Sequence, residues 1–118
     1  MGNPVVHFEV LGKDRGALEG FYTQLFDWKT NKVEGPMEYS TVETGGENGI
    51  AGGIGSAPDG SSHVTFYVQV DDVQAALDKA GSLGGGTLMP PMEVPGGGTI
   101  ALFTDPEGHT VGLWKGSE

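Results

Sequence analysis

Hydrophobic and polar positions alternate over residues 5–11, with Val6, Phe8 and Val10 on one face and His7, Glu9 and Leu11 on the other. A period of two predicts a strand with one face on a core and the other left for something polar. Over residues 15–28 the period lengthens. Ala17, Leu18, Phe21, Tyr22, Leu25 and Phe26 recur at three-and-four spacing, which predicts an amphipathic helix, and Asp14 stands where an N-cap is wanted. The expected packing sets Leu18, Phe21 and Leu25 on Val6, Phe8 and Val10, leaving His7 and Glu9 on the outward face. Residues 29–33, 39–44 and 50–54 then read as three strands separated by glycine-containing turns.

The order begins again after a polar, turn-forming connector at residues 55–62. Residues 63–70 alternate as a strand, Asp72 stands as a cap, and Val73, Ala76, Leu77 and Ala80 form a helical stripe ended by Gly84-Gly85-Gly86. A short strand at 87–89 follows. Pro90-Pro91 and Gly96-Gly97-Gly98 bracket what reads as an irregular loop around Met92. Residues 99–104 and 109–114 are strands joined by the turn Asp105-Pro106-Glu107-Gly108. The halves superimpose with an offset of 58 residues, as from Asp14 to Asp72, which also brings Phe8 onto Phe66, Val10 onto Val68 and His7 onto Thr65. A duplicated unit outranks any local reading. The expected fold is α+β: one domain over residues 1–118, built as module one (1–56), the connector (55–62) and module two (63–118). Each module is strand, helix and three strands. Alone it would expose the apolar face of its sheet, so the two curved sheets are expected to pair around a central trough.

Composition changes this picture little. At 118 residues the chain is long enough for one real core, and its 22 glycines account for the low hydrophobic fraction. The formal charge of -10 opposes binding to phosphate backbones and anionic lipid, so nucleic acid and membrane are not expected partners. The same field would draw in cationic ligands, although its plain role is solubility. Without cysteine, disulfides, thiol nucleophiles and cysteine metal sites are excluded. The N-terminus lacks the look of a signal peptide and no apolar run approaches a membrane span, so a cytoplasmic protein is expected.

The opening His7-Phe8-Glu9-Val10, the helix phrase from Leu18 to Trp28, Val68-Gln69-Val70-Asp71-Asp72-Val73 and the closing hairpin from Phe103 to Trp114 together carry a family likeness. The chain resembles the vicinal-oxygen-chelate superfamily of glyoxalases, bleomycin-resistance proteins and dioxygenases. In metal-dependent members, the resemblance implies, trough-facing residues on the first and last strands of each half hold a divalent ion. His7 falls on the first-strand position. Its counterpart is Thr65, with His63 on the same face two residues earlier. The last-strand position of the second half is Gly112, and its first-half counterpart lies within Ala51-Gly52-Gly53-Ile54. The weak candidate ligands are therefore His7, His63 and Glu9, fewer carboxylates than such a centre uses.

Without a metal, the trough is expected to be lined by His7, Glu9, Tyr39, Thr41, Thr65, Tyr67, Phe103 and Trp114. Aromatic walls beside an acid suit a small amphipathic or cationic molecule, although strand-spaced aromatics such as Phe103 more often fill a core. His7 and Glu9 are the candidate catalytic pair, with Glu9 expected to raise the imidazole pKa and hold it protonated near neutrality. His109 reads as a pin for its hairpin, Trp28 as a plug at the sheet edge, and Met37 and Met92 as thioethers over a pocket mouth. Three functions stand: a metal-free small-molecule binder with no cofactor, a divalent-metal lyase or dioxygenase-like enzyme using His7, His63 and Glu9, and a non-catalytic protein-interaction domain. Homodimerisation is compatible with each.

Overall fold

A computed structural model describes residues 2–35 and 38–116. Ten elements follow in the order the repeat requires: β1 (Val5–Gly12), α1 (Arg15–Phe26), β2 (Lys29–Lys32), β3 (Tyr39–Glu43), β4 (Ala51–Ser56), β5 (His63–Gln69), α2 (Val73–Ser82), β6 (Gly86–Val94), β7 (Gly98–Thr104) and β8 (Thr110–Lys115). Met37 lies outside the described residues.

The duplication is most exact at the helix starts. Asp14 accepts a hydrogen bond from the Ala17 N–H and Asp72 one from the Ala75 N–H, each at 3.0 Å and each from an extended backbone. These side chains satisfy donors that a helix start otherwise leaves unpaired.

Residues His7–Thr65 form one compact unit, with strand order β2-β3-β4-β1. Within it β1 runs parallel to β4, while β3 is antiparallel to both β2 and β4. Val10, Val42 and Ile54 make its buried core, with Phe8, Leu18, Tyr22 and Trp28 packed around them. Trp28 stacks on Tyr22 at 5.7 Å between ring centroids and meets Phe8 at 5.4 Å, so it is a packing residue.

The other unit comprises the chain from Phe66 onward and the first residues through Val6. Its strand order is β5-β8-β7-β6, with β5 parallel to β8 and the other pairs antiparallel. The leader joins it through the Gln69 N–H, which donates to the Pro4 carbonyl at 2.9 Å. Val73, Leu77, Ala101 and Leu113 form the core here, with Phe103 against them.

Two expectations fail. Phe21 and Leu25 do not pack on the sheet; they are 60% and 57% exposed. The side of α1 turned to the sheet carries Leu18 and Tyr22 but also Arg15 and Glu19. There Arg15 pairs with Glu19 and donates to Ser40 Oγ at 3.0 Å. Ser40 and Thr30 donate to Glu19 at 2.7 and 2.5 Å. The fully buried Ser40 accepts this charged stitch in place of an apolar contact. Periodicity reports that a helix has two faces, not which one turns inward.

The second failure concerns β6. Strand β6 runs straight through Pro90-Pro91 to Val94, so Met92 lies on a strand rather than in a loop. It is the outermost strand of its set and shifts register on both sides of Met89. An outer strand tolerates prolines because their missing N–H need not face a neighbour.

Candidate functional site

The candidate site is built on the face of the first unit turned away from α1. Alternation along β1 places His7, Glu9 and Leu11 there, opposite Phe8 and Val10. Tyr39 on β3 joins them. Its hydroxyl donates to Glu9 Oε2 at 3.0 Å and stands 3.1 Å from His7 Nε2. With the phenol hydrogen committed to the carboxylate, the facing imidazole nitrogen must carry N–H and donate to the phenol oxygen. Nδ1 is then the nitrogen with the lone pair. His7, Glu9 and Tyr39 are each half-buried, while Thr41 beyond them on β3 is exposed.

The charge on His7 differs from the expectation. Burial lowers the imidazole pKa from its ordinary 6.5, and the Glu9 charge only partly offsets this. Desolvation wins because a half-buried ring loses water, while Glu9 spends its hydrogen bond on Tyr39. His7 is therefore neutral near pH 7, able to accept a proton rather than deliver one.

Tyr39 has room for this geometry because β4 has none of its own side chains in the way. A methyl group placed on Gly53 would collide with the Tyr39 phenol, and one on Gly55 would come within 2.7 Å of its ring. The second unit repeats the device with a different tyrosine. Tyr67 pairs with Gly112, and a methyl there would collide with the Tyr67 ring. The registers make Gly53 and Gly112 equivalent, since Glu9 faces Gly53 and Tyr67 stands 58 residues after Glu9. Each position implied as a last-strand ligand is thus a glycine beneath a tyrosine ring.

The remaining candidates are spread out. Thr65 and Tyr67 are buried on β5. Trp114 donates to the Gly97 carbonyl at 2.7 Å. Phe103 lies on the helix-facing side, packed against the α2 core, and is removed from the lining. His109 pins its hairpin: its backbone N–H and Nδ1 both bond the Asp105 carboxylate at 2.9 Å. Hydrogen bonds led by that from the His109 backbone hold the Asp105 pKa down. His63 lines a separate open groove of about 590 Å³ between the end of β1 and the start of α1, near Lys13, Leu18 and Val64. Sequence reasoning missed that groove and the tyrosine-over-glycine pairs.

As a donor set for a divalent ion these residues fit poorly. Among the described residues no three His, Asp or Glu side chains come together to hold a metal. No carboxylate can stand at Gly53 or Gly112 while the rings stay in place.

Comparison with known proteins fixes the family. The model of the Glyoxalase/Bleomycin resistance protein/Dioxygenase superfamily matches residues 5–113. The chain belongs to that superfamily. Within it, the chain is 38% identical over 108 residues to CFP32 of Mycobacterium tuberculosis, provisionally named a glyoxylase, covering 86% of this chain and 41% of that one. It is 30% identical over 124 residues to the anthracycline biosynthesis protein DnrV of Streptomyces peucetius, covering 92% and 45%. The chain thus spans under half the length of these curated relatives. Among solved structures, a hypothetical protein, BH1468 of Bacillus halodurans C-125, shares the fold with a TM-score of 0.76 at 11% identity, covering 100% of this chain and 97% of that one. Among the described residues of this superfamily member, no helix is long and apolar enough to cross a membrane.

Proposed function

We propose that this superfamily member binds a small, flat, amphipathic molecule bearing a cationic or hydrogen-donating group, and does so without a catalytic metal. The observation that carries the reading is the Tyr39 hydroxyl held between His7 and Glu9 on a half-buried face. That arrangement fixes a carboxylate, a phenol and a neutral imidazole at one place. A ligand ammonium would pair with Glu9, and a flat ring would stack on the Tyr39 ring that covers the glycines of β4. The formal charge of -10 favours the encounter with a cation. A relative named for anthracycline biosynthesis supports the same ligand class, since anthracyclines are flat polycycles.

The test is thermal melting in chelator-treated buffer with an anthracycline that carries a free amine and with its N-acetylated, uncharged form. The amine form is expected to raise the melting temperature. At 100 times its dissociation constant it would add ~2.7 kcal/mol. Acetylation and Glu9→Gln should each weaken that response. Binding that appears only on adding a divalent ion, or that ignores Glu9→Gln, overturns the reading.

A further inference from the structure

The chain has three asparagines, Asn3, Asn31 and Asn48, and their surroundings differ in one chemical respect. An asparagine destroys itself when the main-chain nitrogen of the next residue attacks its side-chain carbonyl. That attack needs an N–H on the next residue, room around it, and a backbone free to bring the two groups together. Asn3 precedes Pro4, whose nitrogen carries no hydrogen. Asn31 lies within β2, where it and Lys32 are held in register with Thr41 and Ser40 of β3. Asn48 precedes Gly49 in the exposed connection between β3 and β4. There the attacking nitrogen has no side chain beside it, and the glycine backbone bends freely. Among the described residues no hydrogen bond holds the Asn48 amide or the Gly49 N–H.

The connector between the modules supplies an internal control. Asp59-Gly60 is the same pair with an acid in place of the amide, and Asp59 is exposed like Asn48. Both of its reacting groups are occupied. Ser61 donates to the Asp59 carboxylate through its N–H at 3.0 Å and its hydroxyl at 2.7 Å. The Gly60 N–H donates to the Ala57 carbonyl at 2.9 Å. Hydrogen bonds led by that from the Ser61 hydroxyl also hold the Asp59 carboxyl below its usual range, as the unreactive carboxylate. One chain thus carries a tied and an untied version of one reactive pair.

We propose that Asn48-Gly49 is a self-modifying site whose product loosens the start of β4. The Gly49 nitrogen bonds to the Asn48 side-chain carbonyl carbon, the amide C–N bond breaks, and the proton leaves with the released ammonia. Water then opens the cyclic imide at either carbonyl, leaving aspartate or isoaspartate. Both products add a negative charge, and isoaspartate also inserts a methylene into the main chain ahead of Gly49. Gly49 already sits in close quarters. A methyl on it would come within 2.7 Å of Thr44 Oγ1 and 2.9 Å of the Gly45 carbonyl oxygen. The same Thr44 hydroxyl donates to the Ile50 carbonyl at 2.8 Å and closes the base of the connection. Strand β4 begins at the next residue, Ala51, in register with His7 of β1. Displacing Gly49 therefore breaks the Thr44–Ile50 bond and frees the end of β4 beside His7.

The experiment is incubation of the intact chain in warm, mildly alkaline buffer, read by peptide mass mapping and by labelling with a methyltransferase specific for isoaspartate. Ammonia loss is expected at Asn48 well before Asn31, and the labelling should vanish in Asn48→Gln. Asp59→Asn separates structure from motif, because it writes the same pair into the connector. In the folded chain position 59 should react about tenfold slower than position 48, and in urea the two rates should converge. Hydrogen exchange reads the consequence. The isolated isoaspartate form should exchange the Ala51 and Gly52 amides faster than the parent. Asn48→Asp, with the charge but no added methylene, should exchange them as the parent does. Equal rates at 48 and 59 in the folded chain, an Asn48 that survives as long as Asn31, or unchanged exchange at Ala51 and Gly52 in the isoaspartate form would each overturn the proposal.

Discussion

The two helices of this chain begin alike and rest on different chemistry. Val73 and Leu77 of α2 rest on Ala101 and Leu113 of the sheet, an ordinary apolar contact. Beneath α1, beside Leu18 and Tyr22, the Arg15–Glu19 pair is stitched to Ser40 and Thr30, its side chains only 15% and 23% exposed. Asp14 and Asp72 cap both helices with the same bond. The duplicated sequence therefore preserves how a helix starts better than how it is held down. Caps depend on local backbone geometry, whereas what lies beneath a helix depends on a partner strand elsewhere in the chain.

The largest expected effect tests whether apolar packing still dominates the first unit despite the stitch. Phe8 lies against Trp28 and the Val10 cluster, and its ring covers Gly52 so closely that a methyl there would collide with it. Phe8→Ala should lower the unfolding free energy by about 3 kcal/mol, whereas the neighbouring His7→Ala should cost much less. Urea denaturation of both variants reads the contrast. Reversed effects would mean the register of β1 is displaced by one residue.

A smaller effect separates the two kinds of helix seat. Glu19→Ala leaves a largely buried Arg15 with only the more exposed Glu38 carboxylate, 3.5 Å from its Nε, and should cost about 1–3 kcal/mol. Replacing the pair together, Arg15→Met with Glu19→Leu, should cost less than that single change, because an apolar seat like that of α2 can substitute. The stitch also has a pH signature. Hydrogen bonds led by that from Thr30 depress the Glu19 pKa from its ordinary 4.5, so its contribution is full above that value and is lost as pH falls through the lower, folded one. Acid titration of stability should therefore be flatter in Glu19→Gln than in the parent. The smallest contrast is the caps themselves. Asp14→Ala and Asp72→Ala should each cost about 1 kcal/mol and differ little, as thermal melts would show.

Much of this was legible in the sequence. The repeat, both caps, the helix spans, His109 as the pin of its hairpin and Trp28 as a packing plug follow from spacing and turn chemistry. What could not be read was anything decided across the sheet. The periodicity of α1 permits either face to turn inward, and only Ser40, buried on β3, settles that Arg15 and Glu19 do. Pro90-Pro91 reads as a break until β6 is known to be outermost. His7 and Glu9 are visible as neighbours on one face, but the shared partner Tyr39 lies 32 residues from His7 and depends on glycine at position 53. The glycine run on β4 was the available signal, since a strand without side chains makes room for someone else's.

The same pairing of ring and bare backbone constrains how this protein can change. Installing an acid at Gly53 alone would drive it into Tyr39, and at Gly112 into Tyr67. Any route toward an ion-holding variant must first clear the aromatic and only then add the carboxylate. At Gly53 the first of those steps removes the hydroxyl that joins His7 to Glu9, so there the old chemistry is dismantled before the new one has a foothold.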